Sequence, residues 1–422
     1  MKILYISQYF PPEMGAPAAR AAELSKHWAA KGHHVTVLTG FPNHPTGEIP
    51  SEYRARFKRL VSREQISGID VLRTWLLPFP NRKAYERILN YSSFCVSAAL
   101  SGLSLSRPDV VIATSPQLLV GLSGYWLARR KRAPFVFEVR DLWPESLAAV
   151  GMGNENSALH KALASVAGFL YRQSDHIVVV TPAFEDHLVK NWNVPREKIS
   201  IVENGVETQL FAPDPAPDLR RQPQLEGKFV VSYIGTLGMA HGLETMLSSA
   251  AQLKDTTPKI HFLIVGEGAE KDRILAVAHQ RGLTNVQFIP QQPRERIPSY
   301  IAASNVCLVL LKKTGVFKTV IPTKMLEFMS CARPVILGVE GQARSILEEA
   351  RAGLAIEPQN AGALSDAIKY LAANTETARQ LGLNGRDYIL RKYSRAQTAE
   401  KYIAVLEKLL KLPKPRATRA AA

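Results

Sequence analysis

A cation and a carboxylate stand at the start of one predicted helix in the second half of the chain. Pro322 is expected to begin this helix, because the first helical position needs no backbone N–H donor. Lys324 and Glu327 follow at positions i and i+3, so their side chains share one face near the helix terminus. With the free N–H groups of that terminus, they indicate a site for a ligand that carries both an anion and hydroxyl groups.

Two glycine-containing loops between a strand and a helix offer further ligand contacts. In the first half, Gly15 follows the first predicted strand, and Arg20 lies near the start of the next helix, where anions are favoured. In the second half, Gly235 and Gly242 flank a similar loop that carries His241. A glycine-rich loop can bind phosphate through its backbone N–H groups. For the first loop, a plain turn with an exposed arginine is the favoured alternative.

Charged residues also follow a buried strand in the first half. Arg140, Asp141 and Glu145 come directly after the apolar run at 135–139. The carboxyl ends of parallel strands border the ligand cleft of such sheets, so these side chains are candidates for catalysis. An Arg–Asp pair that only fixes the loop is an equally good interpretation.

The apolar pattern predicts an α/β protein with two Rossmann-like domains. Short apolar runs without strict alternation are typical of buried parallel strands, and they alternate with helical stretches in both halves. The predicted first domain covers 1–205 and the second covers 229–394. A proline-rich linker at 206–228 joins them, and a helix at 395–411 and a disordered tail at 412–422 follow.

Composition restricts the class of partner. The chain has 422 residues and a formal net charge of +16, which favours nucleic acid, acidic lipid or phosphorylated substrates. Basic residues cluster at 53–63, 81–87 and 129–132, all in the first half. The run at 88–106 carries no charge but contains too many polar residues for a membrane span. The alternative for this run is a buried core helix.

Other features exclude several kinds of site. The cysteines are three in number and far apart, so free thiols in a reducing compartment are expected. No group of cysteine and histidine residues has the spacing of metal ligands, and no cofactor is expected. The first residues form a strand-like run without the cleavage site of a signal peptide.

Five motifs, in this order and spacing, resemble glycosyltransferase family 4. They are GHHVTVLT, NGVE, GLET, IVGEGAE and PTKMLEFMSCARPVI, and they extend over nearly the whole chain. The resemblance implies the GT-B fold, in which two Rossmann-like domains with parallel sheets face each other across a cleft. It also implies a retaining, metal-independent transferase that uses a nucleotide-sugar donor.

The resemblance assigns roles around the predicted helix. Glu327 matches the glutamate that accepts the two ribose hydroxyls of the nucleotide, and the helix start at Thr323 would face the diphosphate. The first glutamate of the family motif is replaced here by Thr319. The usual diphosphate-binding Arg and Lys correspond to Thr236 and His241.

The missing cations require a substitute. Lys324 is the first candidate to bind the diphosphate, and Lys318 is the second. A further departure lies in the first domain, where Arg140 stands before Asp141 in place of the histidine of the family's His-Asp pair.

The sequence is similar to a subset of family 4 that assembles bacterial surface polysaccharides, of the L-fucosamine transferase type. This similarity implies a UDP-linked donor, such as UDP-N-acetyl-L-fucosamine, and a polyprenyl-diphosphate-linked acceptor. A cytoplasmic enzyme bound peripherally to the anionic inner face of the plasma membrane is therefore expected.

Two other functions remain open at this point. A sugar-nucleotide epimerase can share the GT-B architecture, and it would act on a UDP-sugar without an acceptor. A non-catalytic nucleic-acid-binding protein would suit the charge, but the chain lacks interleaved aromatic and basic residues, so no nucleic-acid partner is expected.

Overall fold

Two parallel-stranded α/β units make up the protein. A computed structural model describes residues 1–80, 84–145, 157–213 and 218–411. Within those ranges, no helix combines the length and the apolar character needed to cross a bilayer. The predicted tail at 412–422 and residues 81–83 of one basic cluster lie outside them.

The first unit is built on an eight-stranded sheet in the order β3-β4-β2-β1-β5-β6-β7-β8. All neighbouring strands are parallel except β3 and β4. The strands are β1 (Lys2–Ile6), β2 (His34–Gly40), β3 (Val61–Ile66), β4 (Ile69–Thr74), β5 (Val110–Thr114), β6 (Phe135–Val139), β7 (His176–Val179) and β8 (Ile199–Ile201). The helices are α1 (Ala16–Ala30), α2 (Ser51–Phe57), α3 (Ala84–Gly102), α4 (Val120–Lys131), α5 (Ala158–Gln173) and α6 (Pro182–Trp192).

The second unit has a six-stranded parallel sheet in the order β11-β10-β9-β12-β13-β14. Its strands are β9 (Phe229–Ile234), β10 (Ile260–Val265), β11 (Val286–Ile289), β12 (Val306–Leu310), β13 (Val335–Gly338) and β14 (Gly353–Ala355). Its helices are α7 (Glu244–Lys254), α8 (Lys271–Gln280), α9 (Ile297–Ala303), α10 (Thr323–Ser330), α11 (Gln342–Ala350), α12 (Ala361–Ala373) and α13 (Thr375–Lys392). The chain continues into α14 (Arg395–Lys411).

The predicted α/β fold class is confirmed, and the elements that the sequence did not reveal lie mostly at sheet edges. The apolar runs of β1, β5, β6, β10 and β12 are buried almost throughout, as parallel strands covered on both faces should be. In contrast, β3 alternates between exposed and half-buried residues, and β11 is half-buried. A two-residue turn at Ser67 and Gly68, both with positive φ, joins β3 to β4.

The chain passes between the two units twice, and the two passages lie side by side. Val206 accepts a hydrogen bond from the backbone of Arg395 (2.8 Å) and donates one to the carbonyl of Tyr393 (2.9 Å). Gly205 allows this close approach, because a Cβ there would lie 2.7 Å from the Thr398 hydroxyl and 3.0 Å from Cα of Arg395. The predicted linker therefore begins as part of a hydrogen-bonded double crossing.

The C-terminal helix returns to the first unit. The indole of Trp28 on α1 donates to the carbonyl of Ala399 (3.1 Å), and its ring packs edge-on against Tyr402 (5.1 Å). Trp28 and Tyr402 are both buried. As a result, α14 covers α1 and closes the first core.

Arg20 is a buried structural residue, so its predicted role in donor binding is wrong. Its guanidinium pairs with Glu138 on β6 (2.8 Å) and donates to the carbonyls of Val202 and Glu203 and to the side chain of Asn204. These contacts use all five N–H groups of the side chain, which is 1% exposed. Arg20 thus ties α1 and β6 to the chain just before its first crossing.

Replacing Arg20 with Met should destabilise the first unit. The substitution leaves the Glu138 carboxylate buried without its counter-charge, which costs about 3–5 kcal/mol. Thermal or urea unfolding of the first unit measures the loss in free energy of unfolding. Arg379→Ala, which removes an exposed ion pair with Glu376 on α13, serves as the control and should change little.

The double variant Arg20→Met/Glu138→Met separates charge burial from packing. It should be more stable than Arg20→Met alone, because no uncompensated charge remains. A wild-type unfolding midpoint for Arg20→Met would contradict the structural role.

Candidate active site

A cavity of about 310 Å³ opens between the two units at the carboxyl ends of β9 and β10. The second unit forms most of its wall, and the loop after β1 closes one side. Seven of the residues predicted for the site line it: Gly15, Gly235, Thr236, His241, Thr323, Lys324 and Glu327. Residues that the sequence analysis did not propose also line it, among them the polar residues Glu267, Gln291 and Arg294.

Two strand-to-helix loops form the floor of the cavity. Gly235 and Gly266 follow β9 and β10 and have φ values of 139° and 152°. A Cβ on Gly266 would lie 2.0 Å from the carbonyl oxygen of Gly235, so the two loops can touch only because glycine is present. This contact leaves backbone close to the cavity, where a ligand can approach it.

The helix predicted around Pro322 is α10. Pro322 occupies the N-cap position, and the helix begins at Thr323. Lys324 lies in its first turn and Glu327 in the next, and both line the cavity. The prediction that these two side chains share one face is therefore confirmed.

Lys324 reaches across the floor to an aromatic side chain. Its Nζ donates to the hydroxyl of Tyr233 (2.8 Å) and lies 3.9 Å from the centre of that ring. Burial lowers the pKa of Lys324 to about 7, and Glu327 only partly opposes this shift. The described residues provide Lys324 with no ion pair, so its charge is available for an anionic ligand.

His241 is an uncharged neighbour of this lysine. Burial, followed by the nearby charge of Lys324, lowers the pKa of His241 to about 3. Its ring packs edge-on against Tyr233 (6.0 Å), and its Nδ1 is buried without a hydrogen-bond partner in the described structure. At neutral pH, His241 can therefore contribute a hydrogen bond but no charge.

Glu327 makes an ion pair that the sequence did not reveal. Its Oε1 accepts from Nη1 of Arg294 (3.0 Å), and Arg294 also pairs with Glu23 on α1 (2.6 Å). Burial raises the pKa of Glu327, and Arg294 opposes the rise. Arg294 follows the half-buried β11, and Glu23 lies in an ordinary amphipathic helix. Neither position carries a sequence signal of its role.

The loop after β6 brings Arg140 to the edge of the cavity. Nη2 of Arg140 donates to the carbonyl of Ala16 (3.3 Å), and Ala16 lines the cavity. Its Nε and Nη1 are buried without a partner among the described residues. Burial raises the pKa of Asp141 to about 6 against the opposing charge of Arg140. Glu145 forms an ion pair with His187 (3.0 Å) and does not line the cavity.

Three other predicted donor residues lie outside the cavity lining. Lys318 is largely exposed and pairs with Glu340 (3.0 Å), so its predicted contact with the diphosphate is not supported. The carbonyl of Thr319 accepts from Thr181 of the first unit (3.0 Å), which makes it an interdomain contact. Gly242, with φ of 55°, ends a short helical turn.

The described residues contain no group of three His, Cys, Asp or Glu side chains placed to hold a metal ion. The positive charge near the cavity comes instead from Lys324 and Arg294, with Arg140 at its edge. The cavity thus combines Lys324, which has no ion pair among the described residues, the ion pair of Arg294 with Glu327, and the backbone of glycine loops. Such a set can bind an anion and a hydroxyl-rich group together.

Comparison with known proteins shows the family of the chain. Residues 15–205 match the family model described as a glycosyl transferase 4-like domain, and residues 216–388 match glycosyl transferases group 1. A protein of Escherichia coli (strain K12) with the name "Putative colanic acid biosynthesis glycosyl transferase WcaI" is 27% identical over 383 residues. That alignment covers 87% of this chain and 91% of WcaI.

Solved structures support the same fold. Sucrose-phosphate synthase from Thermosynechococcus elongatus superimposes with a TM-score of 0.77 at 22% identity, covering 97% of this chain and 98% of that one. HepE from Anabaena, solved with UDP-glucose, gives a TM-score of 0.71 at 16% identity over 97% of this chain and 100% of its own. The two matched models together span both units, and the chain belongs to the family 4 glycosyltransferases of the GT-B fold.

Proposed function

We propose that the protein is a retaining glycosyltransferase that moves a sugar from a nucleotide diphosphate donor to a lipid-linked saccharide in surface polysaccharide biosynthesis. The observation that carries this proposal is the pair Lys324 and Glu327, which face one cavity from the first two turns of α10. The name of WcaI supports a role in polysaccharide assembly. HepE, solved with UDP-glucose, supports UDP as the nucleotide.

The diphosphate would bind at the start of α10. Backbone N–H groups at that terminus and the ammonium of Lys324 together favour negative charge there. The leaving diphosphate gains charge in the transition state, so the same groups would accelerate departure of the sugar. This arrangement would let transfer proceed without a metal ion.

The ribose would bind at Glu327. A carboxylate offers two acceptor oxygens, which suit the two adjacent hydroxyls of a ribose. Glu327 lies one turn beyond Lys324, so a nucleotide diphosphate can contact both side chains at once. We propose that Gln291, in the same cavity, contacts the nucleoside.

The first unit would supply the other side of the reaction. Arg140 reaches the cavity edge from the loop after β6, where the transferred sugar and the acceptor would meet, and Asp141 is the next residue of that loop. Positioning of the acceptor hydroxyl beside the leaving phosphate would let that phosphate take the proton, on the face that the leaving group departs from. This route accounts for retention without a protein nucleophile. The sugar in this proposal is N-acetyl-L-fucosamine, carried by UDP.

The acceptor would be held at a membrane by α3. This helix buries Asn90, Phe94 and Ala98 but exposes an apolar stripe on its other face. The stripe follows helical spacing and consists of Tyr85, Ile88, Leu89, Val96, Leu100 and, just beyond the helix, Leu103; Val96 and Leu100 are 60% and 62% exposed. Most of the run at 88–106 thus belongs to a helix with one buried face, which is neither wholly in the core nor a membrane span.

Two of the basic clusters, at 129–132 and 53–63, lie next to α3. Lys131, at the end of α4, donates to the carbonyls of Leu103 and Leu105 next to the end of α3. Phe57 stacks on Trp75, whose carbonyl accepts from Ser97 of α3. Phe57 lies within the basic cluster at 53–63. Each basic residue near an anionic leaflet contributes about 1 kcal/mol, so we propose peripheral binding of α3 to the inner membrane face.

Glu327→Ala should weaken UDP binding while the fold stays intact. Loss of a charged acceptor costs about 1.5–3 kcal/mol, which corresponds to roughly a ten- to hundredfold loss of affinity. Isothermal titration calorimetry with UDP measures it. Glu340→Ala, on the same domain but paired with Lys318 outside the cavity, is the matched control. Equal UDP affinities for the wild type and Glu327→Ala would remove Glu327 from the donor site.

Lys324→Met should abolish a pH dependence of UDP affinity. In the protein without ligand, the pKa of Lys324 is lowered to about 7. A bound diphosphate should raise this pKa, because its negative charge favours the protonated side chain, so binding should be accompanied by proton uptake. Affinity should therefore fall as the pH rises from 7 to 9 in the wild type, and stay flat in the variant. Uridine, which lacks phosphate, should bind both proteins alike. A flat wild-type profile would argue against the phosphate contact.

Val96→Asp/Leu100→Asp should reduce binding to anionic vesicles. A flotation assay at low salt should recover the wild type with phosphatidylglycerol-containing vesicles, but less so at high salt or with neutral lipid. Leu383→Asp/Leu390→Asp, which alters exposed leucines of α13, should float like the wild type. Binding that ignores lipid charge, or an α3 variant that floats normally, would contradict the proposed surface.

A further inference from the structure

The carboxylate proposed to bind ribose, that of Glu327, is linked through one arginine to a glutamate of the opposite domain. Arg294 of the second unit donates from Nη1 to Oε1 of Glu327, and from Nε and Nη2 to Oε1 of Glu23 (3.1 and 2.6 Å). Glu23 belongs to α1 of the first unit. A single guanidinium therefore joins the two domains through the donor site.

This guanidinium belongs to a row of four charged side chains whose charges alternate in sign. Oε2 of Glu23 accepts from Nε of Arg395 (2.8 Å), so the order is Arg395, Glu23, Arg294, Glu327. The side chains of Arg395 and Glu23 are 2% and 10% exposed, and that of Glu327 is 12% exposed. In such a shielded place, ion pairs hold their geometry more firmly than at the surface.

Packing fixes the plane of Arg294. Its guanidinium lies 4.8 Å from the ring centre of Phe211, which is fully buried. Burial alone would lower the pKa of Arg294, but the carboxylates of Glu327 and Glu23 outweigh it and raise this pKa, so the group stays charged. The side chain can therefore redistribute its hydrogen bonds but cannot lose its charge.

The distribution of those hydrogen bonds decides how much of Glu327 a ligand can use. While Glu23 takes Nε and Nη2 of Arg294, only one N–H group points at Glu327, and only Oε1 takes part in the pair. Without Glu23, the guanidinium is free to turn its fork onto both oxygens of Glu327, which is the favoured geometry of an arginine and a carboxylate. A bidentate pair would compete with the two ribose hydroxyls for the same oxygens.

We propose that Glu23 and Arg294 are positioning residues of the donor site, and that Glu23 keeps Glu327 open to the nucleotide ribose only while the two domains are in contact. This inference rests on the proposed function of Glu327. It makes donor affinity depend on the domain contact, and by reciprocity a bound donor should stabilise that contact.

Calorimetric titration with UDP tests the coupling. Glu23→Gln should lose about tenfold in UDP affinity, although Glu23 does not line the cavity. Arg294→Lys keeps the charge but cannot form the two-pronged contact. In that background, Glu23→Gln should cause little further loss, because the residue that Glu23 restrains is gone. A loss from Glu23→Gln that simply adds to that of Arg294→Lys would overturn the inference.

Two further variants separate coupling from general damage. Glu400→Gln removes the exposed Lys31–Glu400 pair, which joins the same two helices, α1 and α14, away from the cavity. It should bind UDP like the wild type. Glu23→Asp keeps the charge opposite Arg395 while shortening the reach to Arg294, so it should fold and show a smaller loss of the same kind.

The outcomes distinguish the two proposals. If Glu327→Ala loses UDP affinity while Glu23→Gln and Glu23→Asp bind UDP like the wild type, the domain coupling is wrong and the donor site stands. If the wild type binds neither UDP nor GDP, the proposed donor site is wrong, and the inference that depends on it is wrong as well.

Discussion

Buried opposite charges at the meeting of the two domains are the constraint on which the site depends. A charge that leaves water must be paired, or its desolvation destabilises the fold by several kcal/mol. Arg20 satisfies Glu138 inside the first unit, and Arg395, Glu23 and Arg294 satisfy one another between the units. Such pairs have little tolerance for displacement, so they fix how α1, α14 and the edge of the donor cavity lie together.

Backbone hydrogen bonds join the two crossings of the chain next to these buried charges. The backbone of Val206 is hydrogen-bonded on both sides to the returning chain, and Gly205 removes the Cβ that would push the crossings apart. Arg20 secures the residues just before the first crossing, and Arg395 opens the helix just after the second. The two crossing segments are thus hydrogen-bonded to each other, and buried arginines hold both of them on the side of the first unit.

Local patterns were enough to predict most of the fold and the centre of the site. Apolar runs in the sequence indicate buried parallel strands. Lys324 and Glu327 lie on one face as long as α10 is a helix, because they are three residues apart. Edge strands such as β3 and β11 escaped prediction because none of their residues is fully buried, so they lack a continuous apolar run. Arg294 and Glu23 escaped because they lie 271 residues apart, and no local pattern encodes a pairing over that separation.

Arg20 shows the opposite failure. Its place near the start of a helix after a glycine loop suits an anion-binding arginine, but the sequence could not show that Glu138 ends in the same interior. A structural role was the better interpretation of Arg20, although this arginine is buried and not exposed, whereas Gly15 of the same loop lines the cavity. The position of an arginine along a helix therefore shows where it could bind an anionic ligand. Whether it does depends on whether a buried carboxylate of the protein, here Glu138, already binds it.

Charge balance within the cleft agrees with the proposed binding of a diphosphate. Arg294 is neutralised by Glu23 and Glu327, and this leaves Lys324 and Arg140 as the cations near the cavity without a hydrogen-bonded carboxylate among the described residues. Burial lowers the pKa of both side chains, which means that the empty site disfavours their charged forms. An anion between them would remove that penalty, so stability given up in the free protein becomes affinity for the ligand. The family resemblance places Thr236 and His241 where the usual Arg and Lys are expected. With those replacements, one lysine on α10 and one arginine from the opposite domain can supply the positive charge that a departing diphosphate needs.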